Sequence, residues 1–140
     1  MKGICLDAGV MGIHFTKDST KKVISLMNSI LKDNIKAFVL KPILVETYYH
    51  LCKIKGVEIA KISLSSFIRK YPIELVDITQ DLIFSAGKLK CQNRKTLSYN
   101  DAITIAFCLN NRIEFHTTEK NLKKIPNNTL NRLKIKKYRF

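Results

Sequence analysis

The chain has 140 residues, of which 46% are hydrophobic and 26% charged, and these proportions exclude an intrinsically disordered tail. Its 25 lysines and arginines outnumber its 11 aspartates and glutamates, giving a net charge of +14. This excess favours an anionic partner such as nucleic acid, a membrane surface or an acidic protein, although a surface solvated by lysine explains it equally well.

The longest apolar run, residues 102–109, is shorter than the roughly 18 residues that span a bilayer. No signal-peptide core follows Met1. We therefore expect a cytoplasmic protein that makes no use of a membrane, with residues 1–140 forming one domain.

Short apolar strands alternate with helices along the chain. In chain order, the sequence predicts a strand at 4–6 ending in a tight turn at Asp7-Ala8-Gly9, a helix at 20–32, a strand at 37–40, helices at 42–55 and 58–70, a strand at 74–78, helices at 79–91 and 99–110, a strand at 113–117, a helical turn at 119–124 and an edge strand at 133–137. This alternation predicts an α/β fold, a three-layer α/β/α sandwich around a central, mainly parallel sheet.

Three of the few acidic residues fall near the carboxyl ends of predicted strands, where parallel sheets bind their ligands. Asp7 ends the first strand, Glu46 lies one turn into the helix after the second, and Glu119 follows the fourth within two residues of Thr117. The chain has no glycine-rich phosphate loop of the dinucleotide-binding or Walker type. Acidic side chains, and not backbone amides, therefore mark this edge of the sheet.

Asp101 has two explanations that the sequence leaves open. It lies three residues after Ser98, which is placed to cap the helix at 99–110, so its carboxylate can simply stabilise the positive end of that helix. The same helix leads into the strand at 113–117, so it should begin at the carboxyl edge if it runs antiparallel to that strand. That edge also carries the other three acids.

The cysteines and histidines indicate no metal site or protein nucleophile. Cys5, Cys52, Cys91 and Cys108 form no C-x-x-C pair, and the three histidines show no zinc spacing. Nothing in the chain suggests a Ser/His/Asp or Cys/His arrangement.

Four segments in chain order carry recognisable motifs: ICLDAGV at 4–10, LVET at 44–47, LSYNDAITIA at 97–106 and HTTEKNL at 116–122. Together they resemble the motifs of PIN-domain nucleases, in particular the toxin half of prokaryotic virulence-associated toxin–antitoxin pairs. The third segment is similar to the family's L-S-x-x-D-A-x-x-x-A helix and is the most specific. The fourth is similar to its T-x-D-x-x-F motif.

The resemblance implies metal-dependent hydrolysis of RNA phosphodiester bonds. By this resemblance, Asp7 and Asp101 bind Mg²⁺ or Mn²⁺ directly, Glu46 binds it or orients the attacking water, and Glu119 is an outer-shell or second-metal residue. Clustered acidic residues are consistent with a bound cation, because two carboxylates about 4 Å apart repel by about 4 kcal/mol at an effective dielectric constant near 20. A cation between them offsets this repulsion. Oxygen-only ligands also suit these hard cations.

Three positions depart from the family's pattern. Gly9 stands where the family often has Ser or Asn, a side chain that helps to orient the first acid or a metal-bound water. Glu119 replaces the usual Asp, and Leu122 replaces Phe. An alternative is a catalytically inactive module that binds RNA or protein, with the departures at Gly9 and Glu119 as signs of lost activity. A housekeeping RNA-processing nuclease is the other alternative.

The expected partners follow from the resemblance and from the surface residues. Arg94, Lys95 and the lysines near the carboxyl edge are candidates for gripping the RNA backbone, and no acid follows Glu119 in the chain. Tyrosines beside the acidic motifs are candidates for stacking bases: Tyr48, Tyr49 and Tyr99. The apolar faces of the helices at 42–55 and 58–70 suggest a homodimer contact or a groove for an antitoxin helix, although burial in the core explains them as well.

Overall fold

The structure is a computed structural model that describes residues 2–120, 122 and 125–140. Its elements are β1 (Gly3–Leu6), α1 (Ala8–Phe15), α2 (Lys21–Leu31), β2 (Lys36–Leu40), α3 (Lys41–Lys55), α4 (Val57–Lys70), β3 (Ile73–Val76), α5 (Gln80–Gln92), α6 (Tyr99–Asn111), β4 (Glu114–Thr117), α7 (Asn127–Leu130) and β5 (Ile135–Lys137).

The strands form one sheet in the order β3-β2-β1-β4-β5, and every pairing is parallel. In the register, Cys5 of β1 lies between Phe38 of β2 and Phe115 of β4. Helices cover the sheet, with α1 packed on α2 and α3, α3 on α4, and α5 on α6. The predicted α/β class with a central parallel sheet is confirmed, and all the carboxyl ends of the strands meet at one edge.

Side-chain caps begin several helices where the sequence placed them. The hydroxyls of Thr20, Thr79 and Ser98 accept hydrogen bonds from the backbone N–H three residues further on, at 3.3, 3.2 and 3.1 Å. Pro42 lies in the first turn of α3, and Gly56 separates α3 from α4 with a φ of 87°. Only glycine adopts that backbone conformation without strain.

The tight turn predicted at Asp7-Ala8-Gly9 is wrong, because helix α1 begins at Ala8. Asp7 is its cap, and the Asp7 Oδ1 atom accepts a hydrogen bond from the Val10 N–H at 2.9 Å. The apolar residues of α1 are buried in the core: Ala8, Val10, Met11 and Ile13. The cap and this burial outweigh the helix-breaking tendency of Gly9 and Gly12.

Smaller differences concern the third strand and the C-terminal part of the chain. β3 ends at Val76 and not at residue 78, and Asp77 instead pairs with Lys41 at 2.6 Å. Helix α7 was not predicted. The helical turn predicted at 119–124 includes residues 121, 123 and 124, which lie outside the described residues.

No helix in the described part of the chain combines the length and the apolar character needed to cross a membrane.

Candidate active site

The four acidic residues singled out in the sequence line one cavity of about 740 Å³. Asp7 follows β1, Glu46 lies in the second turn of α3, Asp101 lies in the first turn of α6, and Glu119 comes two residues after β4. They are distant in the sequence, and the parallel topology brings them to the carboxyl edge of the sheet.

Asp7 is the most deeply placed of the four, with 7% of its surface exposed. Besides the bond from Val10 to Oδ1, its Oδ2 atom accepts hydrogen bonds from the Thr117 hydroxyl and from the Thr118 N–H, the latter at 3.2 Å. Its own N–H donates to the His116 carbonyl at 3.1 Å. The carboxylate is therefore held in one orientation by α1 and the end of β4.

Gly9 allows the chain after β4 to approach α1 closely. A Cβ atom at position 9 would lie 2.9 Å from the Thr118 Cβ and would overlap the Thr118 hydroxyl. Thr118 thus occupies the space of the missing side chain, and its N–H binds the first acid. The departure at Gly9 therefore has a steric cause, and the sequence pattern of the family gave no sign of it.

Glu46 is half-buried, and its Oε1 atom accepts a hydrogen bond from Asn100 Nδ2 at 2.7 Å. Asn100 precedes Asp101 in α6, so this bond ties α3 to α6 at the cavity. Neither Asn100 nor Thr118 was predicted from the sequence to belong to the site. The quoted motifs contain both residues, but only the structure shows which side chains face each other.

The structure agrees with both explanations of Asp101 that the sequence left open, a position in the first turn of a capped helix and a position at the acidic edge. Its N–H donates to the Ser98 hydroxyl at the start of α6, and its side chain lines the cavity. Glu119 also lines the cavity, and its N–H donates to Thr117 Oγ1 at 2.9 Å. Leu122, in place of the family's Phe, is buried in the core.

The electrostatics of the cavity disfavour ionisation of Asp7 and Asp101. Burial raises the pKa of Asp7, against the hydrogen bonds from Thr117, Val10 and Thr118, and the charge of Glu46 raises it further. Burial likewise raises the pKa of Asp101 to about 6, with Ser98 opposing the shift and the charges of Glu119, Asp7 and Glu46 adding to it. The cavity therefore brings together carboxylates whose charges oppose one another's ionisation at Asp7 and Asp101.

This donor set fits a hard divalent cation. Every candidate ligand is a carboxylate oxygen, and the raised pKa values indicate that a cation would stabilise the ionised forms. Across residues 2–120, 122 and 125–140, no three His, Cys, Asp or Glu side chains form a ready-made metal cage. Mg²⁺ needs no such cage, because it is commonly held by one or two carboxylates, water and substrate phosphate.

The rest of the cavity is mostly apolar, with basic residues along its length. Phe15, Ile43, Leu51, Ile54 and Phe140 line it, together with Lys17, Lys53 and Lys55. The residues suggested for base stacking and RNA binding, Tyr48, Tyr49, Tyr99, Arg94 and Lys95, are not among the described residues that line it. Tyr99 lies instead in a small apolar depression between α5 and α6.

Known proteins share features with this chain. The model of the PIN domain family matches residues 4–128. No curated protein sequence matches the chain significantly.

Solved structures with a similar fold include VapBC2 from Rickettsia felis bound to a DNA fragment from their promoter, with 18% identity, a TM-score of 0.74 and coverage of 98% of this chain and 99% of that one. DNA-bound VapBC from Salmonella typhimurium has 15% identity, a TM-score of 0.73 and 98% coverage of both chains. Mycobacterium tuberculosis VapC20, described as a toxin that cleaves the sarcin-ricin loop, has 16% identity, a TM-score of 0.63 and coverage of 79% and 85%.

Proposed function

This chain belongs to the PIN domain family, and from that premise we propose that it is a metal-dependent endoribonuclease that hydrolyses RNA phosphodiester bonds. The observation that carries the proposal is the meeting of Asp7, Glu46, Asp101 and Glu119 in one cavity at the carboxyl edge of the sheet. The RNA-cleaving activity described for the similarly folded VapC20 supports the choice of substrate.

In the proposed mechanism, Asp7 and Asp101 would hold Mg²⁺ or Mn²⁺, which would supply a bound water of lowered pKa and positive charge for the phosphoryl group. Glu46, fixed by Asn100, would orient the attacking water and accept its proton. Glu119, which also lines the cavity, would be an outer-shell or second-metal residue. Thr117 and Thr118 keep the Asp7 carboxylate turned into the site.

Substitution of the two central acids tests the proposal. We expect wild-type protein to cleave single-stranded RNA with Mg²⁺ or Mn²⁺ and to lose cleavage in EDTA. Asp7→Asn and Asp101→Asn should each lower the rate at least about 100-fold, because the charge that holds the cation is removed. Asp77→Asn is the matched control, since Asp77 is exposed and pairs with Lys41 away from the cavity.

The outcome also decides between the nuclease and the inactive binding module. RNA binding without cleavage, over several metals and substrates, would overturn the nuclease and leave the module. Equal activity in wild type and the Asp101→Asn variant would overturn the assignment of the site.

We further propose that the protein acts as the toxin of a toxin–antitoxin pair in the cytoplasm, with a cognate antitoxin and a second copy of itself as partners. The apolar part of the cavity, around Phe15, Leu51 and Ile54, is a candidate binding surface for an antitoxin segment beside the acids. Exposed apolar side chains on α5 and α6 support self-association, with Ile83, Phe84 and Tyr99 exposed by 55, 65 and 76%. Growth arrest on expression, relieved by a neighbouring gene product, would separate a toxin from a housekeeping nuclease.

A further inference from the structure

A second groove, which we call the basic groove, opens beside the acidic cavity. It has a volume of about 660 Å³ and is lined by Thr20, Lys22, Thr118, Glu119, Lys120, Lys137, Tyr138 and Arg139. Thr118 and Glu119 also line the acidic cavity, so the two depressions lie side by side and share these residues. A strand that left the acidic cavity across Thr118 and Glu119 would enter the basic groove.

The two depressions have opposite charge. The basic groove has four cationic side chains and one carboxylate, that of Glu119, at the point where it joins the acidic cavity. Within the described ranges, none of Lys22, Lys120, Lys137 and Arg139 forms an ion pair. The groove therefore offers cationic charge that the fold does not use to neutralise its own acids.

The wall of the groove is built by α2 and the residues around β5. Lys22 Nζ donates to the Lys137 carbonyl at 2.7 Å and lies 4.8 Å from the centre of the Tyr138 ring. Tyr138 is buried, and its hydroxyl is 2.7 Å from His116 Nδ1. Lys22 is thereby fixed, while Lys120, Lys137 and Arg139 remain exposed beside it.

We propose that the basic groove binds the backbone phosphates of the RNA strand next to the bond that is cleaved. This inference rests on the proposed nuclease function and extends it by giving the strand a direction out of the acidic cavity, past Glu119. Lysine and arginine side chains contact phosphates without reading bases. The groove would therefore add affinity for RNA that depends on the salt concentration and hardly on the nucleotide sequence.

A length-dependent assay tests the groove. The variant Lys120→Gln/Arg139→Gln removes two exposed cations, and Lys61→Gln/Lys88→Gln, on α4 and α5 outside the groove, removes the same charge elsewhere. We expect the groove variant to bind a 12-nucleotide RNA about tenfold more weakly in Ca²⁺, with a salt slope lower by about 1.4 at about 0.7 per phosphate contact. The control variant should change little, and unaltered melting temperatures would show that both variants are folded.

Substrate length separates this inference from the proposed function. If the groove holds flanking phosphates, the groove variant should cleave a dinucleotide at the wild-type rate and the 12-nucleotide RNA more slowly. Equal losses in the groove variant and the control variant, or equal losses on both substrates, would overturn the groove. Failure of the wild type to cut any RNA would overturn the nuclease, whereas the binding comparison would still test the groove.

An acidic peptide is the competing ligand for the same charges. We expect a glutamate-rich peptide to compete for the groove at least tenfold less well than RNA of equal charge. If the peptide instead binds as tightly as the RNA and loses affinity only in the groove variant, the groove is a protein-docking site and the inference is wrong.

Discussion

The acids of the cavity and the acids at the amino end of the parallel sheet have opposite surroundings. At the amino end, Glu114 lies 3.1 Å from Lys2 Nζ and 2.8 Å from His116 Nε2, and Glu74 lies 3.9 Å from Lys36 Nζ. At the carboxyl end, Asp7 and Glu46 accept their hydrogen bonds from hydroxyl, backbone and amide groups. In the chain as described, Asp7, Glu46 and Asp101 form no ion pair.

The pKa values follow the same division. Burial alone would raise the pKa of Glu114, but hydrogen bonds from Lys2 and His116 hold it below its usual value. Burial and neighbouring acids instead raise the pKa of Asp101 to about 6. Glu114 therefore stabilises the folded chain as an anion, whereas ionisation of Asp7 and Asp101 destabilises it, a cost that a bound cation would offset. The acids of the cavity are thus arranged for a cationic ligand, whereas Glu114 is already paired with Lys2.

The largest loss of stability is expected where α1 and the end of β4 touch. Gly9→Ala should lower stability by about 1–3 kcal/mol and RNA cleavage at least about tenfold, because the new methyl group displaces Thr118 and with it a donor to Asp7. Urea denaturation and a cleavage assay measure the two effects. Gly87→Ala is the matched control, since a Cβ there meets nothing within 4 Å.

A second substitution should reverse the first. In Gly9→Ala/Thr118→Gly the colliding atoms are gone, so the double variant should recover most of the stability lost in the single one. Losses that simply add would show that Gly9 matters for some other reason than its contact with Thr118.

This contact also marks what the sequence could and could not predict. Strand and helix periodicity predicted the sheet, and the position of acids after strand ends predicted that Asp7, Glu46 and Glu119 lie near one edge. The pairings Gly9–Thr118 and Asn100–Glu46 join residues far apart in the chain. No local pattern encodes them, because they depend on how the loop after β4 and the start of α6 pack. The sequence also missed α1 for a local reason, because Gly9 and Gly12 disfavour a helix that the Asp7 cap and the burial of its apolar residues nevertheless stabilise.

The next effect is the change of stability with pH, which the raised pKa of Asp101 predicts. The folded pKa of Asp101, about 6, exceeds its ordinary value of 3.8, so the folded state keeps a proton that the unfolded state loses between these values. Stability in EDTA should therefore fall as pH rises from 4 to 7. This difference in pKa corresponds to about 3 kcal/mol, which solvent screening reduces to about 1–2 kcal/mol. Urea denaturation at several pH values measures the fall.

Variants at the two ends should respond in opposite directions. Asp101→Asn should flatten the fall with pH, and Mg²⁺ should stabilise wild type at pH 8 but not this variant. Glu114 has a lowered pKa, so its contribution is present above its ordinary value of 4.5 and is lost as pH falls. The Glu114→Gln variant should therefore be less stable than wild type at pH 7 by about 1 kcal/mol and nearly as stable as wild type in acid. An Asp101→Asn profile that parallels wild type would contradict this account.

The smallest effect is expected at the bond between Asn100 and Glu46. Asn100→Ala removes the donor 2.7 Å from Glu46 Oε1, so the carboxylate that orients the attacking water gains freedom. We expect kcat to fall about three- to tenfold with little change in KM, and stability to fall by about 1 kcal/mol. Asn110→Ala is the control, because Asn110 makes a similar bond to Ser85, at 3.1 Å, on the same helix away from the cavity. If both variants lose the same stability but only Asn100→Ala loses kcat, Asn100 positions Glu46; if both keep full kcat, the bond merely joins α3 to α6.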